Sequence, residues 1–327
     1  MRVRWLVVVV LVAVLMVPAG VVTAARLSEP PLLLAVRLVA FTPYALLLYL
    51  PALLLLLVAV MRGRGRWRGV AVLLAVLALA GAATHAHWAS APFQPKEAPS
   101  TVATVQVMTA NLRLGRADTP QVVRLAMRHD VDVLVVVEVT PRAFAGLRAA
   151  GIEELFPHVA GGPEPKTRGT MVFSRSPLGE KQRLDAGYGT YVLDVALPTG
   201  PVHLLAAHPQ APKGSVDVWL ADQEVIRATA DRLSGPTIIV GDLNATMDHA
   251  SLRGLVADGF QDAATQARSG WQPTWPSAGQ VSRFGVSAPP LVAIDHVLVR
   301  GGLRAVRTTT HEVDGTDHRA LVAGLVQ

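Results

Sequence analysis

The feature that most constrains this chain is a run from Trp5 to Ala25 that carries no charge. Backbone N–H and C=O groups find no water in hydrocarbon, so such a run is stable there only as a helix. At about 1.5 Å per residue it crosses a hydrocarbon core of about 30 Å. A second apolar stretch, Pro31 to Met61, is broken by Arg37 and is most membrane-like from Phe41 to Met61, with kinks expected at Pro43 and Pro51. A third runs from Val70 to Ala86. Residues 1–89 are therefore expected to be a transmembrane segment of three helices, over 5–25, 41–61 and 70–86. The opening MRVRW and the later AGVVTAA also have the shape of a cleaved signal peptide, but the apolar run exceeds the usual h-region of about 7 to 15 residues. Either reading leaves two further spans.

Charge separates this segment from the remainder. Up to Ser90 there are eight arginines against the single acid Glu29, a balance of +7; the whole chain is +6, so everything beyond sums to −1. The pI near 10.1 thus comes from arginines beside apolar spans. A duplex-binding domain carries a net basic footprint, because neutralised phosphates supply most non-specific affinity. The nearly neutral remainder argues against nucleic acid as its partner. The loop RGRGRWR holds Arg62, Arg64, Arg66 and Arg68, and the positive-inside rule places it in the cytoplasm with Arg2 and Arg4. Three spans then carry the chain outward after Trp88, so the expectation is a multi-pass protein of the plasma membrane with an extracellular domain. Residues 90–100, SAPFQPKEAPS, have the composition of a stiff Pro-rich linker. There is no cysteine, which excludes disulfides, thiolate metal sites and a cysteine nucleophile.

From residue 101 to 327 short β-rich runs alternate with amphipathic stretches, the pattern of an α/β domain. Strands are expected over 104–110, 132–138, 170–174, 190–196, 202–207, 237–240, 293–299, 303–310 and 320–325. Helices are expected over 120–128, 142–150, 216–233 and 248–256. In the third of these Trp219, Ile226, Ala230 and Leu233 fall on one face and read as core.

Polar residues stand at the ends of these strands: Asn111 in VMTANL, Glu138 in LVVVEVT, His208 in LLAAHPQAP, Asp242 and Asn244 in IIVGDLNAT, Asp295 and His296 in AIDHVLV, and Asp317 and His318 in GTDHRAL. Singly, an Asp or Asn after a strand starts a turn or caps a helix, the role expected of Asp248. Together they are a set of oxygen donors and imidazoles on rigid elements. Carboxylate and amide oxygens suit Mg²⁺ or Mn²⁺, and histidines can polarise a phosphate.

The order N, E, H, GDLN, IDHVL, TDHR, from Gln106 to the C-terminus, resembles the endonuclease/exonuclease/phosphatase superfamily. The resemblance implies a four-layer α/β/β/α sandwich, two mixed sheets packed face to face with outer helices, and metal-dependent hydrolysis of phosphate esters. It implies that Glu138 is the principal ligand of Mg²⁺ or Mn²⁺, with Asn111 and Asp317 close to the same cation or its phosphate. Asp242 would orient or deprotonate the attacking water, and Asn244 would fix that carboxylate or a phosphate oxygen. His208 and His318 would donate to non-bridging oxygens, and Asp295 would orient His318. Ser174 and Arg175 in VFSRSPL also match and read as structural. Two departures are Val137, where the superfamily usually has Gln, and His296, where it often has Tyr; His296 is left without a role. The spans and HPQAP resemble the VanJ-like branch linked to glycopeptide resistance in actinobacteria, which implies an envelope substrate such as a polyprenyl diphosphate. The competing expectations are a nuclease on the outer side, a sphingomyelinase-like or phosphoinositide phosphatase activity, and a non-catalytic envelope-binding module. The loop from Ser269 to Pro290 presents Trp271, Trp275 and Phe284, and the two tryptophans are taken as candidate substrate contacts or as core.

Overall fold

The computed structural model describes residues 2–94, 105–277 and 288–327. Most of the expected linker and Phe284 lie outside the described residues. The chain divides into two compact units, Met1–Ala91 and Pro92–Gln327.

The first unit holds helices α1 (Arg2–Ser28), α2 (Leu33–Val39), α3 (Leu46–Arg62) and α4 (Arg66–Ser90). Three stretches are long and apolar enough to cross a membrane: Trp5–Ser28, Thr42–Arg62 and Arg66–Phe93. The third begins before the expected Val70, so Arg66 and Arg68 lie in the first turn of α4. The turn before it is confined to Gly63–Gly65, and a Cβ on Gly63 would sit 2.6 Å from the Ala59 carbonyl oxygen. Along α4 the buried residues are Ala71, Ala75, Ala78, Ala82 and His85, alternating four and three apart. Such a seam of small side chains lets helices approach closely where lipid supplies no hydrophobic drive between them. His85 is fully buried; its Nε2 meets Thr23 Oγ1 at 2.9 Å and its Nδ1 the Thr42 carbonyl oxygen at 2.8 Å. Tyr49 Oη completes the cluster, 2.8 Å from Thr23 Oγ1.

The second unit runs β1 (Val105–Asn111), α5 (Thr119–Arg128), β2 (Val133–Val137), α6 (Pro141–Ala149), α7 (Ile152–Leu155), β3 (His158–Gly162), β4 (Thr170–Ser174), β5 (Gln182–Leu184), β6 (Thr190–Leu197), β7 (Gly200–Ala207), α8 (Val216–Arg232), β8 (Thr237–Asp242), α9 (Ala250–Ala257), β9 (Gln261–Asp262), α10 (Ala263–Gln266), β10 (Asp295–Arg300), β11 (Arg304–Glu312) and β12 (Arg319–Val326). The nine expected strands are present, β4 with the expected ends and the others with shifted ends. The three unexpected ones, β3, β5 and β9, are edge strands, HVAGG, QRL and QD. Edges bury little, so they carry no apolar pattern to read. Helix α9 begins at Ala250 with His249, not the expected Asp248, at the N-cap. Thr246 N donates to His249 Nδ1 at 2.9 Å, and this local turn moves the helix start past Asp248.

One sheet has the order β11-β12-β1-β2-β4-β3 and the other β5-β6-β7-β8-β10-β9. The unbroken VLVVV of β2 serves two layers. Val133, Val135 and Val137 pack between the sheets with Leu193, Leu204, Ile238, Val240 and Val297 of the second sheet. Leu134 and Val136 face α5, α6 and α7 through Val122, Leu125, Leu147 and Ile152. On α8 Trp219, Ile226 and Ala230 are buried as expected, while Leu233 is the C-cap and half-buried. The result is the α/β/β/α sandwich with both sheets mixed. In each sheet two strands are parallel, β1 with β2 and β7 with β8, and a neighbour is antiparallel, β12 to β1 and β10 to β8. The C-terminal ends of the parallel strands and the N-terminal ends of β10 and β12 therefore share one edge of each sheet.

Candidate active site

Asp242 Oδ2 is where the two sheets meet chemically. Asn111 Nδ2, at the end of β1, donates to it at 2.9 Å across 131 positions of sequence. His318 Nε2 lies 3.7 Å from the same oxygen and His208 Nε2 3.8 Å. Oδ1 accepts from Asn244 N at 3.0 Å. Asp295 is paired in register with Asp242, and its Oδ2 bonds His318 Nδ1 at 2.8 Å. Asp242, Asp295, His208 and His318 are all buried.

Burial shapes the protonation states first. It lowers His208 to about 4, although Asp242 pulls the other way, so this ring is neutral at pH 7. Burial would also lower His318, but Asp295 and then Asp242 override it and hold the ring up to about 10. Asp242 is raised by burial, with His318 opposing. The centre thus contains a carboxylate hub, an imidazolium and a neutral imidazole.

A second, more open group lies on the side of the first sheet. Glu138 is half-buried and accepts from Asn111 Nδ2 at 3.3 Å and from Leu114 N at 2.6 Å. Asn111 Oδ1 accepts from Arg113 N at 2.8 Å, and Arg113 Nε lies 3.6 Å from Asp317 Oδ1. Arg113, Leu114, Glu138 and Asn244 all have positive φ, a conformation costly for side-chain-bearing residues that clusters at functional sites. Gly241 of GDLN serves packing: its φ is 144° and a Cβ would fall 2.1 Å from the Ala207 carbonyl oxygen.

Two sets of donors bear on a metal. Asp242, Asp295 and His318 bring ligand atoms within 4.8 Å of one another. In this triplet His318 Nδ1 is already engaged by Asp295 Oδ2 at 2.8 Å. Glu138 supplies half-buried carboxylate oxygens beside Asn111, and Asp317, linked to this group through Arg113, supplies another carboxylate; oxygen donors of this kind fit a hard divalent ion.

The structure brings together Asn111, Glu138, His208, Asp242, Asp295 and His318, with Asp317 joined through Arg113. The Asn244 side chain turns elsewhere: its Nδ2 donates to the Pro209 carbonyl oxygen at 3.0 Å, so its backbone holds Asp242. Val137 is buried between the sheets. His296 ties three segments together, with Nδ1 on Asp262 Oδ1 at 3.0 Å and Nε2 on the Ala245 and Ala293 carbonyl oxygens at 3.0 and 3.1 Å. Arg175 pairs with Asp130 at 2.5 Å, and Ser174 lies at the end of β4, the opposite edge of the sheet from Glu138. Trp271 is 40% exposed, whereas Trp275 is half-buried and bridges to Val292.

One residue gave no signal in the sequence. Thr274 Oγ1 accepts from Ile294 N and Asp295 N, both at 3.1 Å, while the Thr274 carbonyl oxygen accepts from Arg319 N at 2.8 Å. It clamps the starts of β10 and β12, hence Asp295 and His318. A threonine in a Pro-rich loop has no periodicity to mark it.

Solved structures share this fold. An endonuclease/exonuclease/phosphatase from Beutenbergia cavernae DSM 12333 superposes with a TM-score of 0.52 at 19% identity, over 68% of this chain and 71% of that one. D. rerio TDP2, complexed with a single-strand DNA product, gives 0.56 at 12% identity over 68% and 99%. Sphingomyelinase C from Streptomyces griseocarneus gives 0.50 at 18% identity over 67% and 98%. No curated protein matches the sequence at a significant level. The family model of the Endonuclease/Exonuclease/phosphatase family matches residues 108–318, from β1 to the last site histidine, and the chain belongs to that family.

Proposed function

We propose that this protein is a membrane-anchored, divalent-metal-dependent phosphoesterase acting on a lipid phosphate or diphosphate at the outer face of the plasma membrane. The convergence of Asn111, His208 and His318 on Asp242 Oδ2 carries the chemical part of this reading. Glu138, with Asn111 and Asp317, would hold Mg²⁺ or Mn²⁺, and such an ion would supply neutralising charge for the phosphate oxygens. Asp242 accepts the proton of the attacking water; its burial favours the protonated product of that transfer. His318, kept charged by Asp295, donates Nε2–H to a non-bridging oxygen, and neutral His208 donates to another. Asn244 N keeps Asp242 aimed.

The substrate half rests on composition and connectivity. Three spanning helices precede a domain of net charge −1, and a linker of residues 90–100 reaches at most about 35 Å. Lipid headgroups are the abundant phosphates within that reach, and a VanJ-like polyprenyl diphosphate fits them. Trp271 offers an apolar surface for the lipid portion and Trp275 its half-buried support. Phosphate release from undecaprenyl diphosphate by the full chain in detergent should exceed cleavage of plasmid DNA and of soluble phosphodiesters. Robust nuclease activity without lipid phosphatase activity would overturn the reading in favour of a nuclease. A C-terminal alkaline phosphatase fusion should be active if the domain lies outside, and a silent fusion would reject the orientation.

A further inference from the structure

We propose that the groove between α5 and β11 is a second, non-catalytic anion site that takes a phosphate group. The groove has a volume of about 280 Å³ and is lined by Gln121, Arg124, Leu125 and Arg128 of α5 and by His311 and Glu312 of β11. None of these belongs to the catalytic cluster.

The argument is one of unbalanced cations. Arg124 and Arg128 are one helical turn apart and point along one face. Arg124 reaches Asp118 only at 4.0 Å with both side chains exposed, and among the described residues Arg128 has no ion-pair partner. Glu312, the acid in the groove, is engaged by Arg319 Nη1 at 3.0 Å. At the C-cap of α5, His129 lies against His311 with ring centroids 4.3 Å apart. His129 Nε2 is buried and has no hydrogen-bond partner among the described residues. A buried ring nitrogen without a partner costs about 1–3 kcal/mol.

Both histidines are held low by burial first. Arg307 and Arg128 then add to this at His129, and His129, Arg319 and Arg128 at His311, which falls to about 4. They stay neutral because burial disfavours the charged rings and the neighbouring guanidiniums add to that. An anion cancels the field of Arg124 and Arg128 from α5, Arg307 from β11 and Arg319 from β12, so binding draws protons onto the rings. Two adjacent guanidiniums beside the His311 ring suit a tetrahedral oxyanion bonded on several sides. A cation is repelled there, and a polynucleotide would need a longer basic stripe. The phosphate has two possible sources, free phosphate or a lipid headgroup.

The test is calorimetric titration of the full chain in detergent, wild type against Arg124→Gln/Arg128→Gln, with inorganic phosphate and with dihexanoyl phosphatidate as probes. Both arginines are exposed, so the variant is expected to keep its fold and its turnover. If the source is free phosphate, the variant loses affinity for both probes by about tenfold or more; if it is a headgroup, for phosphatidate alone. Equal affinities of wild type and variant for both probes, or no binding that the variant weakens, would overturn the proposal.

Discussion

The two sheets build their ends of the site with the same device and reach opposite results. Each carries a parallel strand pair joined through a helix, α5 or α8, and in each a residue with positive φ follows within two positions of the end of the second strand. On β2 that residue is the carboxylate itself, Glu138, so the left-handed turn carries its side chain to a half-buried position. On β8 the turn residue is Asn244, and the carboxylate, Asp242, still lies inside the strand, 2% exposed. Shifting a carboxylate two positions relative to one turn residue decides whether it meets solvent and ligands or a desolvated proton. The proposed roles follow from this: ligand for Glu138, base for Asp242.

The strongest way to break the contrast is Asp242→Asn. It should lower turnover by about 10²- to 10⁴-fold while leaving Mn²⁺ affinity unchanged, read by steady-state rates and by calorimetry. Full activity would remove Asp242 from the mechanism. Glu138→Ala should lower both turnover and Mn²⁺ affinity, the latter by more than the about 10- to 100-fold that loss of an outer partner costs. EDTA should inactivate the wild type and Mg²⁺ or Mn²⁺ restore it, and metal-independent hydrolysis would end the distinction between the two halves.

A smaller effect concerns the backbone that holds the buried half. Gly241→Ala drives a Cβ against the Ala207 carbonyl oxygen, so β8 must separate from β7 and stability should fall by about 1–3 kcal/mol in urea denaturation. An unchanged midpoint would show that the strands yield freely. The smallest effect is one of pH. The folded value of His208 is about 4 against 6.5 for the free side chain. Between these values the unfolded chain takes up a proton that the folded chain refuses, so the contribution is full above about pH 6.5 and is lost as pH falls toward 4. Denaturation of His208→Gln at pH 7, 5 and 4 should show a shallower acid loss than wild type. Equal slopes would mean that the ring is not desolvated.

Much of this was legible because strand alternation and strand ends are local. The run VLVVV marked a strand, and the polar residue after each such run marked the edge where a site belongs. The roles of Glu138, Asp242 and Asp295 came from their resemblance to a family and not from spacing. The short edges β3, β5 and β9 were illegible, since QRL or QD buries too little to leave a pattern.

The sequence by itself determined that three helices are long and apolar enough for a membrane, that a cysteine-free α/β domain follows, and that oxygen and imidazole donors stand at its strand ends. Each follows from hydropathy, periodicity or residue chemistry over a few consecutive positions. Only the tertiary structure decided that Asn111 bonds Asp242, that Asp295 keeps His318 charged, that Thr274 clamps both strand starts, and that Arg124, Arg128 and His311 share one groove, with His129 against His311. Those pairings join residues far apart in the chain. Their distances depend on sheet order and register, which come from packing of the whole core and leave no trace in any one segment.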